Sequence, residues 1–139
     1  MNVQDQPLST CGGDAPVMVY AAEVVVALPG DSTLSAVARE LCDGEIGIVV
    51  IGAPDNVAGV LSERDVVRAV ARSLDPATTL AAEVANSSIV WCDRSATVHE
   101  VAELMMAHYV RHVLLEDDGR LVGIVSARDL LGAYMFAGE

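Results

Sequence analysis

Lysine is absent from this chain of 139 residues, and its 8 basic residues, all arginines, are outnumbered by 20 acidic ones, for a formal net charge of -12. Nucleic-acid polymers and anionic membranes are bound through basic surfaces, so a chain of this charge is a poor candidate for either function. Arginine is nevertheless suited to forked hydrogen bonding with phosphate or carboxylate. The positions of the few arginines therefore matter more than the total charge.

Signals for export and membrane insertion are also missing. No basic segment followed by an apolar one opens the chain, and the longest apolar run, residues 17–28, is too short to span a bilayer. Cys11, Cys42 and Cys92 form an odd set without metal-ligand spacing, which favours the cytoplasm, and we expect Cys42 and Cys92 to be small buried residues. Residues 1–16, rich in glycine and proline and with little periodicity, predict a flexible tail.

The sequence repeats itself at a constant offset. GVLSERDVVRA begins at Gly59 and GIVSARDLLGA begins at Gly123, which is 64 residues later. The same offset carries Thr33 to Thr97 without a gap, and apolar positions fall on apolar positions. This self-similarity indicates two copies of one unit. We place the first copy at residues 17–76 and the second, with a short linker helix before it, at 77–139.

Each copy has the pattern of a β-α-β-β-α unit. Valine- and isoleucine-rich runs followed by turn residues predict strands, and apolar positions at i, i+3, i+4 and i+7 predict amphipathic helices. The predicted strands are 23–28, 46–51, 57–61, 88–92, 110–115 and 121–125, and the second helix of each copy is predicted at 63–73 and 127–136. Because the strands are apolar on both faces, we expect an α/β (α+β) fold whose two sheets pack on each other with pseudo-twofold symmetry, leaving two related clefts between the copies.

A short polar motif follows the last strand of each copy, where the second helix starts. Its residues are Ser62, Arg64 and Asp65 in the first copy and Ser126, Arg128 and Asp129 in the second. One interpretation is helix capping, with serine at the N-cap and aspartate three residues later. The other is nucleotide binding, because helix N–H groups, a hydroxyl and a guanidinium suit phosphate, and a carboxylate can accept both hydroxyls of a ribose. The motif alone leaves both interpretations open.

The duplicated unit with its G-h-h-S-x-R-D motif (h, apolar) resembles a tandem pair of cystathionine-beta-synthase (CBS) domains, or Bateman module, of the stand-alone bacterial type. The resemblance covers about residues 17–137. It implies that an adenosine ligand (AMP, ADP or ATP, with S-adenosylmethionine or NAD also bound within the family) occupies the clefts between the repeats. It also implies that the motif aspartates contact ribose, that the serines lie near ribose and phosphate, and that Val60 and Ile124 flank adenine.

Members of this family also use residues at the start of the second strand, and here the two copies differ. The second copy has Val110, Arg111 and His112, a basic pair that resembles the phosphate-contacting pair of kinase regulatory subunits, whereas Ile46 begins an uncharged stretch in the first. We therefore expect the second copy to form the better site for a phosphorylated nucleotide. The expected ligand-binding residues are Ile46, Val60, Ser62, Arg64, Asp65, Val110, Arg111, His112, Ile124, Ser126, Arg128 and Asp129.

Further candidates are interpreted structurally. Arg68 and Arg72 continue from Arg64 at four-residue spacing and are interpreted as a solvated helix face, and Gly132 takes the place of Arg68 in the second copy. His108 and His112 lie on either side of a predicted helix end, which disfavours a shared metal. The family usually forms homodimers through apolar residues of the second helices, for which the candidates are Val66, Val67, Val70, Leu130, Leu131 and Tyr134.

The chain has no nucleophile elbow, P-loop or metal-ligand set, so we predict that it is not an enzyme and requires no cofactor. The favoured function is a cytoplasmic adenine-nucleotide sensor that changes conformation or assembly on binding and acts on an unidentified effector protein. The alternative is a homodimeric interaction module whose nucleotide pockets are empty or vestigial. Catalysis by a histidine on a bound nucleotide is a distant third.

Overall fold

The structure, a computed structural model, describes residues 13–136, which divide into two compact units. We call residues 25–89 the first-repeat unit, and residues 13–24 together with 90–136 the second-repeat unit. Each unit contains one three-stranded sheet with helices, so the α/β fold class is confirmed. None of the helices in the described residues is long and apolar enough to cross a membrane.

The first-repeat unit follows the predicted β-α-β-β-α order. Its sheet has the order β1-β2-β3, in which β1 is parallel to β2 and β3 is antiparallel to it. The short linker helix expected from the sequence is present as α3, which is four residues long. The elements are β1 (Ala27–Leu28), α1 (Leu34–Gly44), β2 (Ile48–Ala53), β3 (Asn56–Ser62), α2 (Glu63–Ala71) and α3 (Ala81–Val84).

The second-repeat unit has the same order and sheet topology, β4-β5-β6. One further element, a 3₁₀ turn at Val17–Val19, comes from the segment before the first repeat. The other elements are β4 (Trp91–Asp93), α4 (Val98–His108), β5 (His112–Asp117), β6 (Arg120–Ser126) and α5 (Ala127–Phe136).

Helices α1 and α4 begin at polar caps and have residues other than glycine at their C-caps. Thr33 and Thr97 cap α1 and α4, where each hydroxyl accepts a hydrogen bond from the backbone N–H three residues later. Both helices end at a left-handed residue, Glu45 (φ 51°) and Tyr109 (φ 55°), at positions where glycine is the usual choice. The identical ends of α1 and α4 support the duplication, and the ends carry no sequence signal that would have located them.

Each unit has its own apolar core, built from the helix positions predicted by the i, i+3, i+7 pattern and from the inner faces of the strands. Leu34, Val37 and Leu41 of α1 are buried in the first-repeat unit, and Val98, Val101 and Met105 of α4 occupy the equivalent positions in the second. Val17 is fully buried in the second core although it precedes the first repeat in sequence.

Four residues of the predicted flexible tail, 13–16, are described and are hydrogen-bonded. The carbonyls of Gly13 and Ala15 accept the N–H groups of His99 and Val98, and Pro16 forms an isolated β-bridge with Thr97. The N–H groups in the first turn of α4 lack acceptors within the helix, and the carbonyls of Gly13 and Ala15 supply them. These hydrogen bonds hold the end of the predicted tail against α4. Residues 1–12 of the predicted tail lie outside the described residues, and the domain limits stay a prediction.

Two other expectations need correction. Cys42 is exposed on α1 rather than buried, because it lies outside the stripe of buried positions formed by Leu34, Val37 and Leu41; Cys92 is half-buried. Leu130 lies in the core of the second-repeat unit, so it is not available for a contact between chains, whereas Val67, Val70 and Leu131 are exposed.

Candidate functional site

The serine and aspartate of each motif cap the helix that follows. In the first repeat the backbone N–H and the hydroxyl of Ser62 donate to Oδ2 of Asp65, at 2.9 and 3.0 Å, and the Asp65 N–H donates to Ser62 Oγ at 3.3 Å. In the second, the Ser126 N–H donates to Asp129 Oδ2 at 2.8 Å and the Asp129 N–H donates to Ser126 Oγ at 3.0 Å. The capping interpretation is therefore correct for both motifs.

Capping leaves each motif with groups that a ligand could use. Only one carboxylate oxygen, Oδ2, takes part in each cap, so Oδ1 of Asp65 and of Asp129 is not consumed by it. Both aspartates are half-buried, and the arginines before them, Arg64 and Arg128, are exposed. The N–H groups of the first and third residues of each helix already have acceptors, so in the first turn the N–H of Arg64 or of Arg128 is the one left for a ligand, and the helix dipole favours negative charge there.

The start of the neighbouring strand lies directly beside the motif in the second repeat. In the antiparallel pairing of β5 with β6, His112 is opposite Ser126. The carbonyl of Arg111 accepts the N–H of Ala127, the first residue of α5, at 2.8 Å. Arg111 is exposed and His112 is half-buried. The sheet register therefore brings the basic pair and the Ser126–Asp129 motif to the same end of one sheet.

The first repeat has the same backbone geometry without the basic pair. Ile48 is opposite Ser62, and the carbonyl of Gly47 accepts the N–H of Glu63 at 3.1 Å. Ile46, the predicted site residue, lies just before β2 and is half-buried. The two motifs thus share a scaffold and differ in charge.

Sequence reasoning missed two backbone segments that pair with the motif strands. Ala22 forms a two-bond antiparallel bridge with Ile124, with N···O distances of 2.8 and 3.0 Å. Asn86 forms the same bridge with Val60, at 2.8 and 2.9 Å. Ala22 and Asn86 are related by the repeat offset, and their partners are the two residues expected to flank adenine. Val60 and Ile124, the predicted adenine-flanking residues, are therefore each paired with a backbone segment that precedes the first strand of a repeat: Asn86 comes before β4 and Ala22 before β1.

These bridges explain the glycine that opens each motif strand. A Cβ on Gly123 would lie 3.2 Å from the carbonyl oxygen of Ala22, and a Cβ on Gly59 would lie 3.1 Å from that of Asn86. Contacts this short require the neighbouring backbone to move, so glycine permits the close approach. The repeated glycine was the available sequence signal for the bridging segments.

Groups outside the motifs show no comparable arrangement. Within residues 13–136 no cluster of three or more histidine, cysteine, aspartate or glutamate side chains is suited to a metal ion. His108 is the last residue of α4 and His112 the first of β5, so the two belong to different elements. His99 pairs with Glu103 on α4, with 3.0 Å between Nε2 and Oε1.

Comparison with known proteins identifies the duplicated unit. The family model of the CBS domain matches residues 19–72 and 81–135. Hypoxic response protein 1 of Mycobacterium tuberculosis is 39% identical over 100 residues, which are 70% of this chain and 70% of that protein. The chain therefore belongs to the CBS-domain family, as a tandem pair of CBS domains.

Solved structures agree with this assignment. A CBS domain protein from Pyrobaculum aerophilum, complexed with AMP, is 38% identical, with a TM-score of 0.74 over 82% of this chain and 88% of that one. Hypoxic Response Protein I with two coordinated zinc ions is 32% identical, with a TM-score of 0.72 over 85% and 98% of the two chains. A putative signal-transduction protein with CBS domains from Burkholderia ambifaria, 21% identical with a TM-score of 0.82 over 90% and 96%, shares the fold.

Proposed function

We propose that this chain is a regulatory module that binds AMP, ADP or ATP, with its stronger site at the Ser126–Asp129 motif of the second repeat. The observation that carries the proposal is the convergence of Arg111, His112 and the N-terminal turn of α5 at one end of the second sheet. A guanidinium and helix N–H groups suit phosphate, and the remaining oxygen of Asp129 suits ribose hydroxyls. The AMP complex of the 38% identical protein supports this choice of ligand.

The first repeat supplies the second, weaker site of the proposal. Ser62, Arg64 and Asp65 offer the same hydroxyl, guanidinium and carboxylate as the second repeat, without a cation at the start of β2. Val60 and Ile124 are the proposed adenine-flanking residues, with Ile46 and Val110 beside them. The ligand acts by favouring whichever state of the protein binds it more tightly, in the cytoplasm and without a catalytic step.

Calorimetric titration tests the proposal. The titrants are AMP, ADP and ATP, with S-adenosylmethionine and NAD as competing adenosine ligands. Asp129→Ala is expected to weaken AMP binding at least about tenfold, because a hydrogen bond to a charged group is lost. Asp129→Asn keeps an acceptor for the Ser126 N–H, so it separates loss of ligand contact from loss of the helix cap.

A matched control removes the same charge elsewhere. Asp55 is exposed in the turn between β2 and β3, at the opposite end of that strand pair from Ser62, and Asp55→Ala is expected to leave AMP binding unchanged. Equal binding by Asp129→Ala and wild type would overturn the site assignment. Failure of all five compounds to bind wild type at millimolar concentration would overturn the nucleotide proposal itself.

The second candidate function is a homodimeric interaction module with vestigial pockets. Two observations favour it: both motifs act as helix caps, and Val67, Val70 and Leu131 are exposed apolar residues on α2 and α5. Sedimentation velocity of wild type and of a Val67→Glu, Leu131→Glu double variant tests it. A dimer that the double variant dissociates would support this function, and a monomeric wild type would exclude it.

A further inference from the structure

The two motifs differ at one position that lies beside the aspartate. In the first repeat, Nη1 of Arg68 is 3.8 Å from Oδ1 of Asp65, one helical turn earlier on α2. The Asp65 side chain is 19% exposed and the Arg68 side chain 60%. In the second repeat the equivalent residue is Gly132, and a Cβ there would meet no atom within 4 Å. The second repeat therefore has no side chain at the position of Arg68, and the Cβ position there is open.

Arg68 approaches the carboxylate oxygen that capping does not use. Oδ2 of Asp65 accepts both hydrogen bonds from Ser62, which leaves Oδ1 as the free acceptor, and Arg68 lies next to it. Asp129 is in no ion pair within residues 13–136, and its capping bond also goes to Oδ2. A ribose hydroxyl that donates to Asp65 has to compete with a guanidinium, and one that donates to Asp129 does not.

We infer that Arg68 is a specificity-determining residue, which competes with ribose for Asp65 and so makes the first-repeat motif the weaker of the two. The inference rests on the proposed function, since it describes how the same type of site is differentiated between repeats. The difference in ligand affinity between the two motifs then has two sources: Arg68 on α2 of the first repeat and the Arg111 and His112 pair of the second. The module then fills the second-repeat motif first.

The sign of the expected effect separates this role from simple charge attraction. If Arg68 only attracted phosphate, its removal would weaken the binding of AMP to a chain that is already strongly acidic. If Arg68 competes with ribose, its removal strengthens binding, even of an anion. The expected gain is about two- to fivefold, the range for an exposed ion pair.

The experiment isolates the first-repeat motif by working in the Asp129→Ala background. Arg68→Ala is compared there with Arg72→Ala, which removes the same charge from an exposed residue at the end of α2 that has no ion pair with any described residue. AMP and uncharged adenosine are the titrants. Arg68→Ala is expected to tighten binding of both, and Arg72→Ala is expected not to tighten either.

The reciprocal change tests the same inference at the other repeat. In an Asp65→Ala background, Gly132→Arg is expected to weaken adenosine binding by a similar factor, with Gly132→Ala as the control for filling the open position. Because a Cβ at this position meets no atom within 4 Å and both residues favour a helix more than glycine does, both variants should fold.

The outcomes distinguish this inference from the proposed function. If wild type binds neither AMP nor adenosine, the proposed function fails and the inference fails with it. If wild type binds AMP but Arg68→Ala binds no better than Arg72→Ala in the Asp129→Ala background, the inference alone is overturned. If the Asp129→Ala variant no longer binds AMP, recovery of AMP binding when Arg68→Ala is added would support the inference.

Discussion

Val17 offers the sharpest test of how the chain before the first repeat is used. Its side chain is 0% exposed and lies in the core of the second-repeat unit, among residues that follow it by about eighty positions or more. Val17→Ala removes two buried methyl groups and leaves a cavity. We expect a loss of about 1.5–3 kcal/mol in the free energy of unfolding of that unit.

Urea unfolding followed by the fluorescence of Trp91 measures this loss. Trp91 is the single tryptophan and lies in β4 of the same unit, so its signal reports the part of the chain that Val17 stabilises. All variants are compared at one protein concentration, because association would add to the apparent stability.

Val19 provides the matched control. It lies in the same 3₁₀ turn, is 70% exposed, and its replacement by alanine should change stability by no more than about 0.5 kcal/mol. If Val17→Ala costs no more than Val19→Ala, the segment does not contribute to this core and the reasoning is refuted.

Two further predictions concern glycines and thiols. Gly123→Ala should destabilise the protein by about 1–3 kcal/mol, because the new methyl group would press on the Ala22 carbonyl. Gly132→Ala should instead stabilise α5 by about 0.5–1 kcal/mol. Urea unfolding measures both changes, and equal effects of the two substitutions on stability would contradict the bridge geometry. Burial, together with the charges of Glu100 and Asp93, raises the pKa of the Cys92 thiol. In a Cys11→Ser background, iodoacetamide should therefore label exposed Cys42 well before Cys92 at pH 8. Faster labelling of Cys92 than of Cys42 would contradict this prediction.

The repeat and its elements could be predicted because their signals are local. Ser126 and Asp129 mark the start of α5, and the prediction of residues 127–136 matches the helix Ala127–Phe136. The constant offset then transfers each element from one repeat to the other. The resemblance to CBS domains gave the expectation that Arg111 and His112 lie near the motif, and the antiparallel register explains it, because it places His112 opposite Ser126.

The features that sequence reasoning missed depend on partners distant in sequence. The apolar run at residues 17–28 indicates burial but not the neighbour that provides it: Val17 and Ala22 pack or pair in one unit, and Ala27 begins a strand in the other. β1 therefore has two residues where six were predicted. The prediction that Arg68 is solvated is confirmed by its 60% exposed side chain, but spacing along a helix does not reveal that an aspartate one turn earlier keeps an oxygen available.

The two bridging segments have different consequences for folding, although their geometry is the same. The bridge between Val60 and Asn86 joins residues 26 positions apart, and the bridge between Ala22 and Ile124 joins residues 102 positions apart. This is about two doublings of loop length, which corresponds to about 1.2 kcal/mol of additional closure entropy. During synthesis the shorter loop can close once the first repeat has emerged, whereas the longer one joins almost the first described residues to almost the last. The second repeat therefore completes its fold only after Ile124 has been synthesised, and it cannot be excised as a continuous piece without losing Val17 from its core.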